Sequence, residues 1–154
     1  MALRGHTRTV DHGHRRIMAE IRQLDGRSIK VGIQTDAGEE DNGTAIVDVA
    51  IYNEFGTEHI PSRPFFRRMA DNYRGQLHQV AMAAYEGILR GGTAMRCLGV
   101  VGTWYQDMQK RVLRDGPWVP NSPLTIKLKR SATPLIDHSR MVNAIRYVVQ
   151  RGKR

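Results

Sequence analysis

Cysteine is nearly absent from this sequence, since Cys97 is the only one among 154 residues. A single thiol excludes an internal disulfide and excludes a zinc site with four cysteine ligands. Such scarcity is typical of proteins that stay in a reducing cytoplasm. Because its neighbours are apolar, we expect Cys97 to be buried and unreactive.

Long apolar runs are missing as well. No window approaches the ~20 apolar residues that a membrane-spanning helix needs. Met1–Val10 is basic but has no apolar core of signal-peptide length, which predicts that the protein stays where it is synthesised. Hydrophobic residues make up 40% and aromatic residues 6%, which is lean for a compact globule. We therefore expect one domain, burying roughly two-thirds of its unfolded surface, with some apolar surface packed against other subunits.

The common catalytic and cofactor motifs are not found. The glycines at 91–92 fit neither a Walker motif nor a dinucleotide fingerprint. Asp137-His138-Ser139 contains the residue types of a catalytic triad, but a triad is assembled by the fold and not by adjacency in sequence. Three N-terminal histidines lack a carboxylate or cysteine at metal-ligand spacing: His6, His12 and His14. We predict no catalytic residue, no metal and no cofactor; a small hydrolase using His138 or Ser139 is the enzymatic alternative.

What the sequence does have is positive charge. The net charge is +9, from 24 basic and 15 acidic residues, and such an excess attracts polyanions or acidic protein surfaces. No zinc finger and no base-stacking aromatic motif accompanies it. A basic protein that binds nucleic acid non-specifically, for example in DNA packaging, is one interpretation. Three residues of a basic loop would then face DNA: Lys127, Lys129 and Arg130.

The first half of the chain predicts one helix and two strands. Asp11 is a suitable N-cap for a helix over 12–24, whose apolar residues recur at i, i+4 and i+7. Residues 28–35 and 45–52 each alternate between apolar and other residues, which predicts two strands. The polar connection DAGEEDNG between them predicts a β-hairpin with a solvated acidic tip.

The second half predicts two long helices and a last strand. Apolar residues recur at helical spacing over 64–90 and again over 93–114, where Thr93 is the expected cap. The Gly-Gly break between them favours an antiparallel helical hairpin. Gly99 and Gly102 are costly inside a helix unless a neighbour packs closely, so the second helix is expected to be kinked or broken.

The predicted fold class is α+β. Ile145, Tyr147 and Val149 alternate as a third strand, so the fold would be a small antiparallel sheet, made of the hairpin and the C-terminal strand, packed against the two long helices. The predicted organisation is a flexible basic arm over 1–10, a single domain over 11–150 and a basic tail over 151–154.

The segment Val49–Arg67 joins the predicted hairpin to the first long helix. Gly56 turns the chain, and Pro61 and Pro64 stiffen it. Charged and aromatic side chains are concentrated here without any catalytic spacing. We therefore interpret the segment as a docking element.

Two stretches resemble a known family. YNEFGTEHIPSRPFFR, residues 52–67, resembles the EFGT…IPARPFLRPA signature of small bacteriophage neck and tail-completion proteins, a group related to lambda Z-like minor tail components and Mu-type virion morphogenesis proteins. SPLTIKLKRSATPLIDHSRMVNAIRYVV, residues 122–149, resembles their C-terminal PLIDTGxLxNSIxYxV segment. In this sequence His138-Ser139 stands for Thr-Gly, Met141 for Leu and Ala144 for Ser.

The resemblance implies a structural virion protein and not an enzyme. Such a subunit would form a ring, as a hexamer, at the head–tail junction or the top of the tail tube, contacting neighbouring connector and tail-tube proteins while genomic DNA passes through the lumen. It would be assembled in the host cytoplasm. The subunit interface would lie on the docking segment, and Glu54, Arg63 and Phe65 would matter for assembly more than for folding. The expected interface residues are Tyr52, Glu54, Phe55, Arg63, Phe65, Phe66 and Arg67.

Overall fold

A computed structural model of the chain describes residues 10–120 and 140–152. Within these residues the chain forms five helices and two strands. In chain order they are α1 (His14–Leu24), β1 (Arg27–Ile33), α2 (Ile46–Phe55), α3 (Phe65–Leu89), α4 (Ala94–Asp115), α5 (Arg140–Ala144) and β2 (Ile145–Arg151).

The two strands form one antiparallel sheet, which pairs a segment from the first part of the chain with one from its last part. The register runs from Arg27 opposite Arg151 to Ile33 opposite Ile145. Helix α4 packs across both strands and α3 packs along α4. This arrangement confirms the predicted α+β class, with the long helices packed against a small antiparallel sheet.

The predicted β-hairpin is wrong, because residues 46–55 form helix α2 and β1 pairs with β2 instead. The segment AIVDVAIY is apolar at both odd and even positions, so its alternation does not distinguish a strand from a buried helix. Ile46, Ala50 and Glu54 are buried at a spacing of four residues, which is the helical period. The burial of this face by the core explains why the helix forms.

The acidic connection between β1 and α2 is more than the solvated turn we predicted. Arg146 of β2 pairs with Asp36, and Arg140 pairs with Asp41 and lies 3.8 Å from the Glu40 carboxylate. The hydrogen bond from Arg146 lowers the pKa of Asp36 below its usual value. The acidic residues therefore tie this loop to α5 and β2.

The helical hairpin of α3 and α4 is confirmed, and its ends lie within one residue of the predicted positions. Thr93 caps α4 by accepting a hydrogen bond from the backbone N–H of Arg96, at 3.2 Å. The helix is not broken at Gly99 or Gly102, since α4 is one continuous helix. Gly102 is needed because the ring of Tyr147 lies against it: a Cβ at 102 would be 2.4 Å from Cδ2 of that ring.

Helix α1 begins two residues later than predicted and its N-cap position is Gly13 rather than Asp11, but the Asp11 side chain still bonds its first turn. The Asp11 carboxylate accepts hydrogen bonds from the backbone N–H groups of Gly13 and His14, at 2.9 and 2.6 Å. These bonds satisfy donors that the first helical turn leaves without partners.

Two side chains of α1, four residues apart, hold the tip of the α3–α4 hairpin. Arg16 donates to the carbonyls of Ile88 at 2.8 Å and Gly92 at 3.3 Å, where α3 ends. Glu20 accepts from the backbone N–H of Ala94 at 2.8 Å, where α4 begins. The cation therefore lies at a helix C-terminus and the carboxylate at a helix N-terminus, which is the arrangement that both helix dipoles favour.

Replacing Glu20 with Ala is expected to reduce the free energy of unfolding by about 1 kcal/mol, because the first N–H of α4 loses its acceptor. Urea denaturation measures this loss. The matched control is Glu86→Ala, which removes an exposed ion pair with Arg90 and is expected to change stability by less than about 0.5 kcal/mol. Equal losses for the two variants would contradict a capping role for Glu20.

The core lies where α2, α3, α4 and α5 meet the sheet. Its buried members are Ile46, Ala50, Phe65, Met69, Val112, Leu113, Met141, Val142 and Ile145. Among the described residues no helix combines the length and apolarity required to cross a membrane.

Candidate functional site

The docking segment is built around a carboxylate that caps a distant helix. Glu54, in the last turn of α2, accepts hydrogen bonds from the backbone N–H groups of Phe66 at 2.9 Å and Arg67 at 3.0 Å, one on each carboxylate oxygen. These donors belong to the first turn of α3, which has no cap from its own N-cap residue, Pro64. Glu54 therefore fixes the angle between the two helices and compensates the positive end of α3.

The loop between the two helices is tight. Gly56 has φ of 80°, and a Cβ there would be 3.0 Å from the backbone nitrogen of Ser62 and 3.1 Å from the carbonyl oxygen of Ile60. Thr57 holds the turn by accepting a hydrogen bond from the N–H of Ile60 at 3.0 Å. Only glycine satisfies both the backbone angle and the space at position 56.

Arg63 is buried and forms hydrogen bonds that hold the two ends of the loop together. Its backbone N–H donates to the carbonyl of Asn53 at 2.6 Å. Its guanidinium donates to Oδ1 of Asn53 and to the carbonyl of Val119, each at 3.0 Å. Burial lowers the pKa of this guanidinium from its ordinary value. Arg63 thus joins α2, the loop and the segment after α4.

The two phenylalanines at the start of α3 have different surroundings. Phe65 is fully buried, and its carbonyl accepts a hydrogen bond from Nε2 of the buried Gln109 at 3.0 Å. Phe66 is half-buried, stacks on Phe65 with ring centroids 4.6 Å apart, and lies over Gly32 of β1. Both rings contribute to the subunit's own core.

The structure therefore divides the predicted interface residues into two groups. Glu54 and Arg63 are only 8% and 5% exposed, and Phe65 is fully buried, so these three side chains hold the subunit together. The expectation that they serve assembly more than folding does not fit this burial. Tyr52, Phe55 and Arg67 are exposed and are free to contact another subunit.

Tyr52 and Phe55 belong to an apolar face of α2, whereas Arg67 lies in the first turn of α3. Phe55 is 67% exposed, Ile51 is 47% and Tyr52 is 42%. Their spacing of three and four residues places them on one side of the helix, opposite the buried side. We name this surface, with the exposed Asp48 one turn earlier, the α2 outer face. Ile51 and Asp48 were missed in the sequence because the segment was interpreted as a strand.

Two other titratable groups are affected by burial. Burial raises the pKa of the Cys97 thiol, which is buried as predicted. Burial also raises the pKa of the Tyr105 hydroxyl. Neither group lies in the docking segment.

The structure describes only some of the other candidate residues named from the sequence. Within residues 10–120 and 140–152 there is no group of three or more histidine, cysteine, aspartate or glutamate side chains that could hold a metal ion. Lys127, Lys129 and Arg130, expected to face DNA, lie outside the described residues, as do His6, His138 and Ser139.

The chain was also compared with protein-family models, curated proteins and solved structures, and none of them matched it.

Proposed function

We propose that this protein is a structural component of a bacteriophage virion. It assembles as a ring, most simply a hexamer, at the head–tail junction or the top of the tail tube, and joins the tail to the head while DNA passes through the lumen. The proposal combines the resemblance of residues 52–67 and 122–149 to neck and tail-completion proteins with one structural observation. That observation is the uncovered apolar α2 outer face.

Helix α2 has the composition of a fully buried helix. It contains five apolar aliphatic or alanine residues and two aromatic residues among ten, IVDVAIYNEF. A helix that is apolar on all sides is normally covered on all sides. Among residues 10–120 and 140–152 only one side of α2 is covered, so the exposed outer face is suited to binding a protein partner.

The buried residues of the docking segment support the same role. The Glu54 cap, the Gly56 turn and Arg63 hold α2 rigidly against α3, so the outer face is presented without a large ordering cost on binding. A subunit of this kind gains stability when neighbours cover its surfaces.

Native mass spectrometry and negative-stain imaging of the purified protein test the ring. We expect one closed oligomer, with the mass of six copies, and a central opening. Labelled protein should also be incorporated into phage particles at the head–tail junction. A strict monomer that fails to join particles would overturn the proposal.

The alternative of a non-specific nucleic-acid-binding protein is supported by the net charge of +9. Filter binding across a salt series separates the two functions. A protein whose main role is binding DNA or RNA should lose about 10³-fold or more in affinity between 50 and 200 mM salt. Oligomers that persist over this range without bound nucleic acid favour the structural role.

A further inference from the structure

We infer that the α2 outer face of one subunit docks into a groove between α3 and α4 of a second copy of this chain. This inference rests on the proposed ring and names the two surfaces that build it. The contact is head-to-tail, so each subunit uses both surfaces at once. The inference rests on four observations. These are the apolar composition of α2, the shape of the groove, the charges at the two surfaces and the distance between the two surfaces within one subunit.

The groove lies near the tip of the α3–α4 hairpin and has a volume of about 560 Å³. Small residues open it on the α3 side, namely Ala83, Ala84 and Gly87, while Cys97 and Val100 line the α4 side. Its volume lies in the range of roughly 300–1,000 Å³ that holds drug-sized molecules. Side chains the size of Tyr52 and Phe55 therefore have room to enter, and apolar atoms would meet them.

The charges of the two surfaces are complementary. Helix α2 has no basic residue, and Asp48 is exposed on its outer face. Arg90 and Arg96 lie at the groove. Neither Asp48 nor Arg96 has an ion-pair partner within the part of the chain that the structure describes. The single charge on the apolar α2 outer face is therefore negative, in a chain with 24 basic residues, and it complements the arginines at the groove.

A subunit cannot fill its own groove. Helix α2 is fixed to the first turn of α3 by the bonds from Phe66 and Arg67 to Glu54. Gly87, which lines the groove, lies 21 residues beyond Phe66 along the same continuous helix. At 1.5 Å per residue this is about 30 Å. Two different surfaces at opposite ends of one rigid helix make a heterologous contact, which closes into a ring when the rotation between copies allows it.

Two single variants test the contact by blocking one surface each. Phe55→Asp places a charge in the centre of the α2 outer face. Gly87→Leu places a side chain in the groove at a position where an added Cβ meets no atom within 4 Å. Sedimentation velocity of each full-length variant should show loss of the ring, with at least a tenfold weaker association. Circular dichroism and thermal melting should match those of the parent subunit.

Matched controls separate these effects from general changes in surface chemistry. Val10→Asp introduces the same charge at another exposed apolar residue, 57% exposed. Gly75→Leu adds the same side chain to α3 at a glycine that is also open. Both control variants should form rings like the parent. If they weaken association as much as Phe55→Asp and Gly87→Leu do, the inference is overturned.

Mixing the two blocked variants gives the decisive result. A Phe55→Asp subunit keeps a working groove, and a Gly87→Leu subunit keeps a working α2 outer face. Equimolar mixing should therefore produce a one-to-one heterodimer and no larger ring. A mixture that stays monomeric, or a parent ring that survives both substitutions, would contradict the head-to-tail contact.

The charge pair provides a second, independent measurement. Asp48→Arg and Arg96→Asp should each weaken association about tenfold. The double variant should regain most of the lost affinity, since every contact then joins an arginine at 48 to an aspartate at 96. Arg74→Asp, elsewhere on the exposed side of α3, is the charge control and should have a much smaller effect. Additive losses in the double variant would rule out a direct contact between the two charges.

These outcomes are distinct from those that test the proposed function. Rings that depend on the α2 outer face and the groove but do not join phage particles would refute the virion role alone. Incorporation into particles by Phe55→Asp and Gly87→Leu as efficiently as by the parent would refute the docking contact alone.

Discussion

Replacing Glu54 with Ala is expected to destabilise the isolated subunit by about 3 kcal/mol. The substitution leaves two backbone N–H groups of α3 without an acceptor in a part-buried environment, and each unsatisfied donor costs about 1–3 kcal/mol. It also removes a negative charge from the N-terminus of a helix of 25 residues. For a domain of this size the melting temperature should fall by roughly 6–12 °C.

Two variants show whether the capping geometry is responsible. Glu58→Ala removes an exposed carboxylate from the same loop, and we expect a change within about 0.5 kcal/mol. Glu54→Gln keeps one acceptor oxygen, so its loss should be intermediate. Chemical denaturation of the three variants gives the comparison, and a Glu54→Ala protein as stable as Glu58→Ala would mean that the cap contributes little.

Replacing Gly102 with Ala should destabilise the protein by about 2 kcal/mol, although alanine favours the helix. The added Cβ would lie 2.4 Å from the Tyr147 ring, which is fixed in the middle of β2. Overpacking of this kind costs roughly 1–3 kcal/mol and would move the sheet away from α4. The same substitution at Gly75, where no atom lies within 4 Å, should stabilise the protein by about 1 kcal/mol.

The two glycine substitutions are expected to change the free energy of unfolding in opposite directions. This is a strict test, since the gain in helix propensity is the same for both. Thermal and urea unfolding should be measured for both variants, and also for Gly102→Ala in a Tyr147→Ala background. Without the ring, the penalty at position 102 should disappear and the propensity gain should remain. A penalty that persists without Tyr147 would identify another cause.

The burial of Glu54, Arg63 and Phe65 changes how the docking segment works. From the sequence, the cluster of charged and aromatic residues indicated direct contacts with a partner. In the structure the charged members are used internally, as a helix cap and as a bridge between α2 and the segment after α4. What they present outward is the neighbouring apolar face of α2. The segment stays our predicted assembly surface, with its contacts made by Ile51, Tyr52 and Phe55.

Local features could be predicted because they depend on residues within a few positions of one another. Asp11 and Thr93 were recognised as caps, since a cap bonds to groups two or three residues away. The hairpin of α3 and α4 followed from helical spacing interrupted by two glycines. Residues 28–35 and 145–149 alternated clearly enough to predict strands, and β1 and β2 cover these positions within two residues at each end.

Only the tertiary structure decided which segments meet. The sequence alone determined an α+β protein with two long antiparallel helices, a basic surface and strands at both ends. The apolar pattern of residues 45–52 fits both a strand and a buried helix. The burial of Ile46 and Ala50 in the core decided for the helix. Strand β1 therefore pairs with β2, more than 110 residues away. Likewise, Glu54 became a cap because the loop brings α3 to it, and a hydrogen bond across 12 residues leaves no periodic pattern in the sequence.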